Sequence, residues 1–233
     1  MTNKSIKWIY PLAVMSILLG LSNSCKKNDV TTIVPTTVTD IDGNVYHTIK
    51  IGTQVWMLEN LKTTKYRNGD TIPNVNDTTQ WESLTTTGAY CNYDNNPDNS
   101  AIYGLLYNWM TVTGSDSIAP KGWHVPTQIE WTILSNYLGG LGPAAGKLKE
   151  AGTAHWQAPN VGATNEVLFT ALPGGMRISY GKFTGLGYLG AWWTSTGDAA
   201  YDAWGRYINY NDSTLYRYDD TRKVGFSVRC IMD

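Results

Sequence analysis

The chain has 233 residues, a formal net charge of −1, only 16% charged residues, and 12% aromatics drawn from 10 Trp, 15 Tyr and 3 Phe. That length suits one large domain or two small ones, and the near-balanced charge supplies no basic field for nucleic acid and no acidic tail. The aromatics are nearly all amphipathic, with a ring to bury and a polar edge to leave wet, which suits a β-rich extracellular core or a sugar-binding surface.

Lys4 and Lys7 precede an apolar run from Trp8 to Leu21, and the run ends at Leu21-Ser22-Asn23-Ser24-Cys25. A basic start, a short apolar stretch and small residues before a cleavage point make a secretory signal. The run of about 14 residues falls short of the roughly 20 that span a bilayer. Residues 1–24 therefore read as a signal peptide resembling bacterial lipoprotein signals, with Cys25 as the lipidated first residue of the mature chain. This predicts an exported protein whose membrane partner is reached through a lipid anchor, on the bacterial cell envelope at the outer membrane or cell surface. Residues 25–38 are Thr-rich and aperiodic and read as that cysteine and a tether, with the domain expected over 39–233.

Asp42-Gly43-Asn44 predicts a turn into a strand over Val45, His47, Ile49 and Ile51. Gly52-Thr53-Gln54 turns back into a second strand from Val55. Residues 60–100 read as loop-rich, with Asn92 to Asn99 as a turn or loop. A short helix is predicted over 103–112, with Tyr103, Leu106, Tyr107 and Met110 on one face. A clearer helix follows Pro126, where Thr127 and Glu130 form a capping box. Trp131, Leu134 and Leu138 give that helix a buried face with Ile133 and Tyr137 at its edge, and Gly139-Gly140 ends it. A second helix is expected over 144–150. Beyond Phe169 the pattern is all strand, near 167–171, 175–183, 190–196, 202–210, 213–218 and 224–230. Strands at both ends with helices between them predict an α+β domain.

Several ordered segments resemble one family. They include Asp40-Ile41-Asp42-Gly43-Asn44-Val45-Tyr46, Ile51-Gly52-Thr53-Gln54-Val55-Trp56-Met57, Leu106-Tyr107-Asn108-Trp109, Pro120-Lys121-Gly122-Trp123-His124-Val125-Pro126 and Gly225-Phe226-Ser227-Val228-Arg229-Cys230. Nearly all of the mature chain is similar in this way to the Fibrobacter succinogenes major paralogous domain family. Its members look like secreted or lipid-anchored surface proteins. The C-terminal third, with Trp192-Trp193-Thr194-Ser195-Thr196 and the closing Val228-Arg229-Cys230, also resembles the C-type lectin-like fold. That implies small antiparallel sheets with one or two packed helices, and a closing strand paired with an early one. Fold alone does not imply sugar binding.

Cys91 and Cys230 are the cysteines left after Cys25. In an oxidising compartment an even pair suggests a disulfide, with two buried thiols as the alternative. The terminal pairing implied by the lectin-like resemblance would help Cys230 reach Cys91. His47, His124 and His155 stand in no metal-binding spacing, and no Cys-x-x-Cys occurs. His124 is expected to be packed and hydrogen-bonded. No paired carboxylates can be assigned for glycoside hydrolysis, so the chain is read as non-enzymatic. Asp94, Asn96 and Asp98 alternate as oxygen ligands do, which makes calcium the one cofactor considered, against a solvated turn.

The best binding candidates are Trp192, Tyr201, Trp204, Arg206, Tyr207, Asn209, Tyr210, Asn211 and Arg217. In a strand Trp204, Arg206, Ile208 and Tyr210 share one face and Tyr207 and Asn209 the other. One face is expected to be core and the other to present rings, amides and Arg to a ligand. The predicted function is a surface domain binding a polysaccharide or an envelope protein. The alternatives are a structural component of the envelope and a polysaccharide-active enzyme.

Overall fold

A computed structural model describes residues 36–233. The signal peptide, Cys25 and most of the tether lie outside the described residues.

Asp40 organises the first turn. Its Oδ1 accepts the N–H groups of Asp42 and Asn44, and its Oδ2 accepts the Tyr46 hydroxyl at 2.6 Å. The turn joins β1 (Thr37–Thr39) to β2 (Val45–Ile51), with Thr37 opposite His47. The tether thus ends earlier than expected, because Thr37 and Val38 already pair across this hairpin. β3 (Gln54–Met57) returns antiparallel to β2 as the alternation predicts.

The loop-rich stretch holds α1 (Thr78–Ser83), β4 (Tyr90–Cys91) and α2 (Pro97–Tyr103). The stretch from Asn92 to Asn99 is therefore not all loop. Asn96 caps the Asp98 N–H, and Pro97 takes the first helical position, where its missing N–H costs nothing. The single helix expected over 103–112 is three elements instead. Gly104 takes φ +79° and stops α2. Leu106–Tyr107 (β5) then pairs with β4, and Asn108 caps α3 (Trp109–Thr113). The apolar spacing there was shared between a strand and a helix.

After β6 (Trp123–His124), α4 (Gln128–Tyr137) begins on the full Thr127–Glu130 capping box. α5 (Leu141–Leu148) follows. Then come β7 (Gly174–Arg177), β8 (Phe183–Leu186), β9 (Leu189–Gly197), β10 (Asp202–Asn209), β11 (Tyr216–Thr221) and β12 (Ile231–Met232). One sheet has the order β1-β2-β3-β12-β6, a second the order β11-β10-β9-β7-β8, and β4 and β5 form a third. The domain is α+β and mostly sheet. The closing strand β12 lies between β3 and β6.

Two stretches expected as strands take other forms. Residues 167–171 make only a bridge from Ala171 to Lys149. Residues 225–230 cross between sheets: Gly225 bonds to Arg177, Phe226 to Tyr107, Ser227 to Ala191 and Trp193, and Cys230 to Met57. Their hydrogen bonds are shared among several elements, so no single ladder forms.

The β9–β10 ribbon is buried on both faces. Trp192 and Ile208 enter a core with Trp56, Trp131, Leu134 and Phe169. Ala191, Trp193 and Ala203 enter another with Tyr107, Trp109 and Phe226, and Tyr207 packs against it. A smaller cluster gathers Trp81, Ala89, Cys91, Tyr93 and Leu106. Buried cations tie loops to these cores. Lys149 donates its Nζ to the carbonyls of Val161, Asn209 and Asp212, and burial lowers its pKa to about 8. Arg177 stacks over Trp81 at 4.4 Å while it donates to the carbonyls of Gly181, Asn76 and Asp77.

Candidate functional site

A cavity of about 650 Å³ opens where α3, the β9–β10 loop and the end of β11 meet the segment after α1. Asn108 helps shape it. Its Oδ1 accepts the Ala89 N–H and its Nδ2 donates to the Thr87 carbonyl, which holds the Thr85–Thr86 wall beside α3. Trp109 forms the floor and is nearly buried, with its indole N–H given to the Thr194 carbonyl at 2.9 Å. Tyr201 stands at the mouth, 80% exposed. Its carbonyl accepts the Arg222 N–H at 3.0 Å, so the two residues are held side by side across the hairpin.

Arg222 is oriented by three contacts. Its guanidinium lies 4.4 Å over the Trp109 ring, Nε donates to the Asp202 carbonyl and Nη2 to the Ala199 carbonyl. Lys223 follows it, with Nζ donating to the Glu82 carbonyl at 2.8 Å. The volume falls within the range of small-ligand pockets, about 300–1,000 Å³. A ring at the mouth, hydroxyls on the walls and two cations give it the means to stack a ring and bond polar substituents.

Of the binding candidates read from the sequence, only Tyr201 lines this cavity. Trp192 is a core residue, fully buried, with its indole N–H on Asn60 Oδ1 at 2.8 Å. Arg206 is buried beneath α4 and donates to the Gln128 carbonyl and the Thr132 hydroxyl. Tyr207 packs edge-on to Phe226 and bonds Asp220 Oδ2 at 3.1 Å. One face of β10 was expected to be free, but helices cover one side and the second core covers the other.

Trp204 is half-buried with the exposed Arg217 stacked 4.5 Å over its ring. Asn209, Tyr210 and Asn211 lie at the far end of β10, where Tyr210 meets Tyr188 edge-on at 5.2 Å. Roughly 25 Å of extended strand separates that end from Tyr201.

Trp109, Arg222, Lys223 and Thr85 were missed. Trp109 stood inside a family-like segment, but nothing in the sequence places residues so far apart in the chain around one space.

The family model for the Fibrobacter succinogenes major domain matches residues 49–232, a span that contains the whole cavity lining. The chain belongs to this family. Searches against curated proteins and against solved structures give no match.

Within this Fibrobacter succinogenes major domain the expected disulfide is absent. Cys91 and Cys230 are free and buried in separate cores. Burial pushes the Cys91 thiol up to about 12, against the lowering pull of Arg177, and burial likewise raises Cys230. Thiols so placed are inert hydrophobes. The terminal strand does return to the opening strands, but it brings Cys230 to Met57 rather than to Cys91.

Each histidine is paired with carboxylate. His47 Nδ1 meets Glu59 at 2.7 Å and His155 Nδ1 meets Glu150 at 2.8 Å. His124 joins Asp233 Oδ1 at 2.7 Å and Glu130 Oε1 at 2.8 Å. Both of its ring nitrogens are thereby engaged, which leaves none for a substrate. Burial alone would lower the His124 pKa; the two carboxylates outweigh it and raise the value.

Asn96 caps α2, and Asp94 sits at φ +52° in the preceding 3-10 turn. Among the described residues no group of three or more His, Cys, Asp or Glu gathers to hold a metal ion. No helix among them is long and apolar enough to cross a membrane.

Proposed function

We propose that this chain is a lipid-anchored surface lipoprotein whose Fibrobacter succinogenes major domain is a non-catalytic module that binds glycan, on a C-type lectin-like fold. The single observation that carries the binding role is the cavity of about 650 Å³ with Trp109 as its floor and Tyr201 at its mouth. The lectin-like reading draws support from the closing strand, which lies among opening strands with helices packed on small sheets. Engagement of both ring nitrogens of His124 by carboxylates supports a structural role for that residue. The anchor rests on the sequence ending at Cys25.

A second reading, a structural component of the envelope bound to protein, is favoured by one feature. Ile129, Ile133 and Tyr137 stand exposed at successive turns of α4, at 72%, 43% and 63%. Such a stripe suits a protein contact.

The test is a binding screen of the purified full-length chain against plant, host and bacterial polysaccharides, with and without calcium. The expected result is saturable binding that Tyr201→Ala weakens by about tenfold, as loss of a stacking ring does. No binding from a demonstrably folded protein ends the glycan reading and leaves the envelope-protein one. For the anchor, Cys25→Ser is expected to abolish labelling by a fatty-acid analogue; undiminished labelling would remove it.

A further inference from the structure

The ligand class can be narrowed, on the footing that the cavity binds glycan. We propose that this cavity selects anionic glycans, those whose sugars carry a carboxylate.

Arg222 and Lys223 both line the cavity and no Asp or Glu does. Ion pairing holds two other surface cations, Lys65 on Asp42 at 3.2 Å and Lys147 on Glu166 at 3.5 Å, whereas the buried Lys149, Arg177 and Arg229 spend their donors on backbone carbonyls and an amide oxygen inside the domain. Neither Arg222 nor Lys223 makes an ion pair among the described residues; each bonds only to backbone carbonyls. Two adjacent uncompensated cations in a concave wall raise the local concentration of anions.

The donors are also arranged in advance. Trp109 beneath the guanidinium and two carbonyl bonds fix Arg222, while its Nη1 has no hydrogen bond among the described residues. Lys223 gives one bond, to the Glu82 carbonyl, and an ammonium has three N–H groups. A carboxylate can therefore meet a pre-oriented guanidinium N–H and an ammonium N–H without first breaking the bonds that hold them. Charge-assisted bonds of this kind are about twice as strong as neutral ones.

The rest of the wall points to a sugar rather than a bare anion. Thr85, Thr86, Thr113 and Thr221 supply hydroxyls, and exposed Tyr201 supplies a plane at the mouth. Rings stack on such planes while hydroxyls bond to hydroxyls.

The test compares two probes with the same sugar backbone, an anionic oligogalacturonate and its uncharged, fully methyl-esterified form, titrated into the full-length chain purified in detergent. The free acid is expected to bind about tenfold tighter, the worth of one charge-assisted bond, and added salt should narrow the gap. Lys223→Gln should reduce the preference severalfold, weakening the acid by more than the ester. Tyr201→Ala should weaken both forms alike. Near-ultraviolet circular dichroism confirms that each variant is folded.

If the ester binds as tightly as the acid, the anionic class is overturned while the glycan reading stands. The same holds if a neutral polymer binds in a Tyr201-dependent way and the acid does not. A preference that neither substitution alters lies outside this cavity and also overturns the proposal. If neither probe nor any other polysaccharide binds the folded chain, the glycan reading falls with it.

Discussion

Arg229 and Arg222 meet an aromatic ring at nearly the same distance, 4.2 Å over Phe169 and 4.4 Å over Trp109, yet they serve different ends. Arg229 is buried. Its Nε and Nη2 both donate to Asn60 Oδ1, at 3.1 and 3.0 Å, and Nη1 donates to the Phe169 carbonyl. Arg222, at the surface, gives two of its nitrogens to carbonyls and leaves the third without a hydrogen bond among the described residues. Stacking decides where each guanidinium sits. The hydrogen bonds left over decide whether it is a structural pin or a group available to a ligand. Burial lowers the Arg229 pKa, but an arginine keeps its charge in a protein, so hydrogen bonds at all three of its nitrogens offset the cost of burying it.

The largest expected effect breaks that pin. Asn60 Oδ1 also accepts the Trp192 indole N–H, and its amide donates to the Tyr103 carbonyl. Asn60→Ala leaves Arg229 Nε and Nη2 and the Trp192 indole N–H without their acceptor, while Nη1 keeps the Phe169 carbonyl. It should cost about 3–5 kcal/mol in urea unfolding, because several buried hydrogen bonds, two of them to a charged group, are lost together. A loss below about 1 kcal/mol would show that Arg229 finds other partners and is no pin.

Arg206 is an intermediate case. It is buried as deeply as Arg229, but its Nε has no partner, and the Gln128 side-chain amide beside it is also unbonded. A half-satisfied buried polar group contributes little to stability, and apolar replacements are often neutral. Arg206→Leu should therefore cost under about 2 kcal/mol by the same measurement, less than Asn60→Ala. The reverse order would mean that ordered water completes the bonding of Arg206.

How much of this was legible in the sequence varies with the range of the interaction. The α4 capping box and the β2–β3 hairpin are written in adjacent residues and were read with nearly correct bounds. The resemblance implied a closing strand at Val228-Arg229-Cys230 paired with an early one; the strand that forms is Ile231–Met232, between β3 and β6. The candidate site was largely hidden. Alternation along β10 was clear, but alternation shows two faces and does not show that Trp131 covers one and Phe226 the other. Only Tyr201 survived, because a ring in a polar loop has nothing local to cover it. Trp109 and Arg222 are brought together by β-pairing across more than half the domain, which no local pattern encodes. The cysteines misled for a related reason: an even count is a prior about compartment, and only the fold decides whether two thiols meet.

A smaller effect tests the satisfied-cation idea at a group that titrates. Asp233 and Glu130 raise the His124 pKa above its ordinary 6.5 in the folded protein, against the lowering effect of burial. The folded state then holds the proton more tightly than the unfolded state. The stabilisation is complete below pH 6.5 and is lost as pH rises through the folded value. Stability measured against pH should fall across that window in the wild type and lose this component of the slope in His124→Gln. Identical slopes would show that the proton on His124 contributes nothing to stability.

The smallest effect belongs to Arg217. It stacks over Trp204 at 4.5 Å, about as close as the pinned arginines come to their rings, but it is exposed and its side chain makes no hydrogen bond among the described residues. If contact with a ring were what made an arginine structural, Arg217→Ala would resemble the loss of Arg229. If satisfaction of the donors is what matters, the stack adds only what a solvated cation–π contact adds. That is about 0.5–1 kcal/mol at most, and surface substitutions usually fall within about 0.5 kcal/mol. Arg217→Ala should therefore shift the urea midpoint barely beyond error and leave glycan binding unchanged, since the cavity lies elsewhere. A loss of about 2 kcal/mol or more would contradict the distinction drawn between Arg229 and Arg222. Stacking alone would then be enough to make a pin in this domain, and the freedom of Arg222 to meet a ligand would lose its physical basis.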